Sequence, residues 1–358
     1  MKKKLSVVQV IDQLLPGGAE RVLITLSNIL YRNGHQVKVI TTVRPGALAR
    51  ALNNGILHVC LRRKWKFSPF TMRKLIKEIK GYDIVHVHSI HNLRYVWLAM
   101  QLYGIRKRIF YQEHHGARAN EKPGWLLKKM MQQNIFIGVS AELKLMAKQK
   151  LQVPEYHTFV LPNIIERENN PGVAQTSGFI NLLLVSNFVR VKNIEFAIEI
   201  LEQFLNQNKK IQLTIIGHIN DEAYHHEILQ LIHRKQLNSF ITILYNIDNI
   251  QAFLGQYHLA MHTSRHESGP LVLLEYMAQQ LPFLSYLTGE VALQANAVLP
   301  ELFMQDFDAD NWIQKINSFL ETDMNELKNK MTNYFHTVCS PDQYYEKCIK
   351  IYTSALKE

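Results

Sequence analysis

Apolar residues in this chain gather in short runs, separated by longer stretches in which they return every three or four positions. The runs at 5–11, 37–42, 84–88, 109–114 and 135–139 read as strands, because a strand covered on both faces needs no polar alternation. The stretches at 20–32, 93–102 and 142–150 carry the spacing of amphipathic helices. At 166–178 the pattern breaks into Pro, Gly and small polar residues, the composition of a linker. It then restarts. Strands are predicted at 180–186, 212–216, 241–244, 259–263 and 281–286, with helices at 194–205 and from Asp221 onward. Three amphipathic helices close the chain at 311–320, 324–334 and 343–355. Strands alternating with helices predict parallel α/β architecture, and two rounds predict two Rossmann-like domains facing each other across a cleft. The expected division is 1–165, a linker at 166–178, 179–340, and a final helical segment at 341–358.

The densest candidate chemistry lies between Glu267 and Glu275. Glu267, Ser268, Gly269 and Pro270 lead into four apolar residues, Leu271 to Leu274, and then Glu275. Pro270 fits a first helical turn, where its missing N–H costs nothing, and Ser268 or Gly269 can cap it. Glu275 then shares a face with Leu271, Leu274 and Ala278. A carboxylate on that apolar face costs several kcal/mol, on the order of the known burial penalties, unless something binds it. The uncovered amides near Leu271 and Val272 make an anion site. An acid for hydroxyls beside amides for phosphate suits a ribose and diphosphate; a structural Glu–Arg pair is the competing reading. Arg190 and Lys192 follow the strand at 180–186, which places two cations at a strand's carboxyl end, where such sheets bind ligands. Gly17 and Gly18 lie between a strand and a helix and permit a tight turn with close backbone approach.

Taken together, the Glu267–Glu275 motif, Arg190, Lys192 and the Gly17-Gly18 loop resemble a GT-B glycosyltransferase of family four, the glycosyl transferases group 1. The resemblance runs from Val7 to the last helix. It implies that Arg190, Lys192 and the amides at Gly269, Leu271 and Val272 stabilise a leaving nucleoside diphosphate, with Glu275 on the ribose. It implies that Gly17 and Gly18 lie near the donor phosphates and that Glu267 meets donor hydroxyls or supports charge at the reacting carbon. The Glu113-His114 pair matches a cleft histidine that contacts the donor sugar, with His115 as the alternative. The catalytic set is therefore His114, Glu267, Arg190 and Lys192. The family's final helix crosses back to the first domain, and its members retain anomeric configuration. Two departures stand out: Gly217-His218-Ile219 replaces a Gly-x-Gly turn, and Gln280 replaces a common glycine, changes that can reshape the pocket.

The implied activity is retaining, metal-independent transfer from a nucleoside-diphosphate sugar to a glycan or lipid-linked acceptor, in surface polysaccharide assembly. No cofactor is expected beyond that donor. A nucleotide-sugar epimerase and a non-catalytic sugar-nucleotide-binding protein share the fold. A metal hydrolase is a different class, suggested by His86, His88 and His91 with His114 and His115.

Charge adds a partner. Residues 1–170 hold 28 Lys and Arg against 10 Asp and Glu, a net +18, whereas the remainder holds 13 against 20, a net −7. Basic runs such as Arg62-Arg63-Lys64-Trp65-Lys66-Phe67 and Trp125-Leu126-Leu127-Lys128-Lys129 interleave cations with aromatics. That mixture suits peripheral contact with an anionic membrane, about 1 kcal/mol per basic residue, and an ordinary solvated basic face is the bland reading. No usual nucleic-acid motif appears. The three cysteines, Cys60, Cys339 and Cys348, lack metal-ligand spacing and read as reduced thiols of a cytoplasmic protein. Lys2, Lys3 and Lys4 before an apolar run mimic a signal peptide, but Gln9 and Asp12 interrupt it.

Overall fold

A computed structural model describes residues 4–65, 67–114, 123–169, 178–247 and 249–356. The chain divides into two compact units, Met1–Ile165 with Ser340–Glu358, and Glu166–Cys339. Residues 170–177 of the expected linker lie outside the described residues.

The first unit is built on seven parallel strands in the order β3-β2-β1-β4-β5-β6-β7. They are β1 (Ser6–Ile11), β2 (Gln36–Thr41), β3 (Leu57–Cys60), β4 (Ile84–Val87), β5 (Ile109–Glu113), β6 (Ile135–Gly138) and β7 (Thr158–Val160). Helices α1 (Gly18–Arg32), α2 (Pro69–Ile79), α3 (Ile90–Leu102), α4 (Trp125–Gln132) and α5 (Ala141–Gln149) connect them. Val7, Val8 and Val10 of β1 are fully buried, as a strand covered on both faces requires. Ser68, Ser89 and Ser140 each cap the helix that follows by accepting a backbone N–H.

The second unit carries six parallel strands in the order β10-β9-β8-β11-β12-β13. These are β8 (Ile180–Val185), β9 (Ile211–Gly217), β10 (Ile241–Tyr245), β11 (Leu259–His262), β12 (Phe283–Tyr286) and β13 (Phe303–Met304). Its helices are α6 (Ile194–Asn206), α7 (Glu222–Arg234), α8 (Gln251–Leu254), α9 (Leu271–Ala278), α10 (Glu290–Asn296), α11 (Ala309–Glu321) and α12 (Asn325–Val338).

The last helix, α13 (Pro341–Ala355), belongs to the first unit. Hydrogen bonds anchor it: Tyr345 Oη pairs with His35 Nε2 at 2.9 Å, and Tyr352 Oη with His86 Nδ1 at 2.7 Å. Tyr352 also meets Phe110 edge-on, with centroids 5.1 Å apart. Among the described residues no helix is long and apolar enough to cross a membrane.

Strands β3, β7 and β13 go beyond the pattern reading, as do α2, α4, α8 and α10. The short β3 is only partly buried and β7 spans three residues, too few positions to show a period.

Candidate functional site

In each sheet the strand order reverses once beside the first strand of its unit, and ligands of such sheets bind at the carboxyl edge of that reversal. In the second unit the reversal lies between β8 and β11. The loops after these strands carry Arg190, Lys192 and Glu267.

The loop after β8 forms a short 3-10 turn at Arg190–Lys192 and ends on Asn193, which is left-handed at φ 53°. Backbone contacts lace this loop to the one after β11. Thr263 Oγ1 donates to the Lys192 carbonyl at 2.9 Å, and the Arg265 N–H donates to the Val191 carbonyl at 2.8 Å. The Arg265 guanidinium reaches Asn193 Oδ1 at 3.0 Å. This lacing presents Lys192 to Glu267. Lys192 Nζ donates to Glu267 Oε1, and His262 Nε2 meets the same oxygen at 3.3 Å. His262, almost wholly buried, is held from behind by Ser285 Oγ at 2.9 Å from its Nδ1. The Glu267 N–H donates to Thr288 Oγ1 at 3.2 Å.

Burial alone would push the Glu267 carboxyl up; the His262 hydrogen bond and the Lys192 charge overcome this and hold it well below the usual carboxylate range. Glu267 is therefore ionised at neutral pH. Both contacts fall on Oε1, and Oε2 carries no hydrogen bond among the described residues.

Gly289 fixes the far wall. It lies at φ +82°, and a Cβ there would come within 2.8 Å of Pro270 Cδ and 2.9 Å of Glu267 Cβ. Only glycine fits without moving Glu267. Pro270 occupies the position before α9 rather than its first turn, with φ −67° and ψ 112°, and no side chain caps the helix. The expected cap from Ser268 or Gly269 is thus absent at this end; the extended proline fixes the chain's entry instead. Leu271 and Val272 open the helix and are partly exposed, while Glu275 is only 4% exposed.

Arg190 stands apart from this group. Its side chain is 62% exposed, pairs with Glu227 at 2.5 Å, and lies over the Tyr224 ring at 5.5 Å. The structure brings Lys192 and Glu267 together and leaves Arg190 on a neighbouring surface.

In the first unit the reversal lies between β1 and β4. Gly17 and Gly18 follow β1, and α1 begins at Gly18, two residues before the expected start. A Cβ on Gly17 would meet Glu20 Oε2 at 2.4 Å. Burial raises the Glu20 carboxyl; its own backbone hydrogen bond opposes this, while the Asp12 charge adds to it. His114 directly follows β5, and its Nε2 meets His88 Nδ1 at 3.1 Å. His88 Nε2 in turn meets Gln9 Oε1 at 2.7 Å. His115 lies outside the described residues.

His86 and His88 do not converge on a point as metal ligands would. Their rings stack at 4.4 Å, and they turn to Tyr352, Gln9 and His114. Among the described residues no group of three or more His, Cys, Asp or Glu is arranged to hold a metal ion.

Of the two departures, Ile219 stands in place of the turn's second glycine and pairs with Phe188 in an isolated bridge, and Gln280 ends a helix. A Cβ on Gly217 would fall 1.9 Å from the Ser186 carbonyl oxygen, so the turn's first glycine is a packing requirement that this chain keeps. Gln280 lies just past the end of α9 at φ 58°, the left-handed residue that closes a helix and that glycine most often supplies. Gln280 Nε2 bonds Thr332 Oγ1 at 2.8 Å there. A glycine at this position answers a helix end, not a ligand's approach.

Sequence reading did not single out His262, Ser285 or Thr288. The available signal was a polar residue at the carboxyl end of each of two neighbouring apolar runs.

Known proteins show the same organisation. The family description Glycosyltransferase Family 4 matches residues 16–169, and Glycosyl transferases group 1 matches residues 167–337. The chain is 23% identical over 303 residues to N-acetyl-alpha-D-glucosaminyl L-malate synthase of Bacillus anthracis, covering 77% of each. Its fold is similar to a glycosyltransferase of Rickettsia africae, with a TM-score of 0.77, 18% identity, and coverage of 99% of both chains. It is also similar to HepE of Anabaena in complex with UDP and glucose, with a TM-score of 0.79, 16% identity, and coverage of 98% of this chain and 100% of the other.

Proposed function

The chain belongs to the family-four glycosyltransferases, the glycosyl transferases group 1, and on that premise we propose that it moves a sugar from a nucleoside-diphosphate sugar to a glycan or lipid-linked acceptor with retention of configuration. The observation that carries this reading is the Lys192–Glu267–His262 cluster at the switch point of the second sheet. The UDP and glucose bound to the Anabaena relative support a sugar-nucleotide donor here.

Lys192 takes the diphosphate and offsets the charge that develops as the sugar bond breaks, a task for which a preorganised cation needs no metal. The open N-terminal amides of α9 at Leu271 and Val272 share that load. Glu275, on the buried face of α9, takes the ribose hydroxyls. Glu267 turns Oε2 toward the hydroxyls of the transferred sugar. A carboxylate clamped by a lysine and a histidine is a weak nucleophile, which favours displacement on one face without a covalent glycosyl-enzyme. His114, Gly17 and Gly18 are assigned to the donor-sugar side through the family pattern, and Arg190 to the diphosphate in a second rank. Assembly of a surface polysaccharide from the cytoplasmic side is the role that fits such an acceptor.

The experiment is a panel of sugar nucleotides, followed by released nucleoside diphosphate, with Glu275→Gln as the donor-binding variant. Calorimetry should show donor affinity falling at least about tenfold, the scale of one lost charged hydrogen bond. Unchanged affinity would remove Glu275 from the site. The anomeric form of the product, read by NMR, decides retention.

A further inference from the structure

The first unit contains a groove of about 670 Å³ whose walls are mainly apolar. Helices α3 and α4 form it, with Tyr95, Trp97 and Leu98 facing Leu127 and Met130, and Phe67 contributed by the loop after β3. Trp97, Leu98 and Leu127 pack on the unit's hydrophobic core, so the groove floor is continuous with it. Trp97 Nε1 donates to Gln133 Oε1 at 3.2 Å and ties the two helices together. The volume lies within the ~300–1,000 Å³ of ordinary ligand sites.

Charge marks one end of the groove. Asp12 follows β1 at the carboxyl edge of the sheet, and Arg63 follows β3 beside it, with 3.5 Å between Nη2 and Oδ1. Arg63 also lies over the Tyr95 ring at 4.5 Å. Arg94, exposed on α3, lines the groove and has no ion pair among the described residues. Phe67 lines the groove, Trp65 and Trp125 lie close in the chain to its lining residues, and all three are more than 70% exposed. An exposed apolar patch of this kind marks a binding surface.

We propose that this groove binds the hydrocarbon chain of an anionic lipid acceptor, with Arg94 and Arg63 on its phosphate. The inference rests on the transferase reading and names the acceptor class. Charge complementarity selects the occupant: an uncharged chain would leave the Arg94 guanidinium unused, and a soluble glycan would leave the apolar walls uncovered. Arg63, the cation at the carboxyl edge, sets the direction, with the phosphate toward the sheet's ligand edge and the chain running outward between α3 and α4.

The test uses the full chain and a series of n-alkyl phosphates below their micelle concentrations, with n-alkanols of matched length, followed by calorimetry. Affinity should rise about fourfold per methylene, the equivalent of ~0.8 kcal/mol for each buried CH₂. Leu127→Trp fills the groove and should weaken the longer chains at least about tenfold. If that variant fails to fold, Arg94→Ala, at an exposed position, still decides: it should lower the preference for phosphate over alkanol while keeping the chain-length dependence. Affinity independent of chain length, or no alkyl phosphate binding, overturns the proposal. So does wild-type chain binding in a folded Leu127→Trp, which would place the lipid on the outer surface. Nucleoside diphosphate release, measured in parallel, separates the two claims. Chain binding without donor turnover refutes the transferase reading, and turnover without chain binding refutes the groove.

Discussion

At the residue scale the protein turns on how Glu267 is held. Two donors on one carboxylate oxygen keep it ionised despite its burial. Removing either partner leaves the other charge without its main contact, at a cost of about 1–3 kcal/mol for this partly buried pair. Glu267→Gln and Lys192→Ala should each lower turnover about 10²-fold or more, the scale of losing one preorganised charge-stabilising group. Arg190→Ala should cost less, because its guanidinium is exposed and engaged with Glu227. Steady-state rates of the three variants check this ordering, and equal losses would return Arg190 to the centre. The pH sign follows from the same contacts. The Glu267 carboxyl is depressed below its unfolded value of about 4.3, so its stabilisation is present above that pH and lost as pH falls further. Chemical denaturation should show Glu267→Gln less stable than wild type at pH 7, with the gap closing below about pH 4. A gap that persists in strong acid would mean the pair contributes nothing as an ion pair.

At the scale of elements, α13 is secured to the first unit by tyrosines that reach buried histidines. Tyr352→Phe leaves His86 Nδ1 without its partner, a loss of about 1–3 kcal/mol, or some 2–12 °C in Tm at ~2–4 °C per kcal/mol for a unit of this size. Differential scanning calorimetry reads it. Burial lowers His86 to about 3, with the His114 charge adding to the shift, and burial lowers His88 likewise. Both histidines are neutral when folded, so their contribution is complete above the unfolded value of about 6.5 and is lost as pH falls below it. The slope reaches about 1.4 kcal/mol per pH unit for each histidine, and His86→Asn should flatten it between pH 6.5 and 4.5. These histidines also show where sequence reading stops. The run from His86 to His91 offered a metal site by its alternation, yet what engages these rings comes from Gln9, His114 and Tyr352, far away in the chain. The long apolar strands and amphipathic helices were legible because burial on two faces writes a run of one kind. The edge strands β3 and β13 were not, since exposed or two-residue elements leave no period. Glu267 and Lys192 were legible as a motif, whereas their pairing, with His262 backed by Ser285, required the order β8-β11-β12.

At the scale of the whole molecule the uneven charge sets the partners. The first 170 residues carry a net +18 and the remainder −7. We expect the basic half to seek anionic lipid, an attraction screened beyond about 8 Å at physiological ionic strength. Vesicle co-sedimentation should show binding that needs anionic lipid and weakens with salt. Reversing Lys64, Lys128 and Lys129 to Glu, with Lys66, which lies outside the described residues, should abolish it and spare donor hydrolysis. Indifference to anionic vesicles at low salt would make this an ordinary solvated face. The proposed transfer of sugar from a nucleoside-diphosphate donor at the Lys192–Glu267 cluster does not depend on that surface. It is tested most directly by incubating wild type, Lys192→Ala and Glu267→Gln with a panel of sugar nucleotides in chelator and measuring released nucleoside diphosphate. Wild type should release nucleoside diphosphate from at least one donor without added metal, and both variants should release it about 10²-fold or more slowly. Release that requires a divalent ion, or that survives intact in both folded variants, would contradict that expectation.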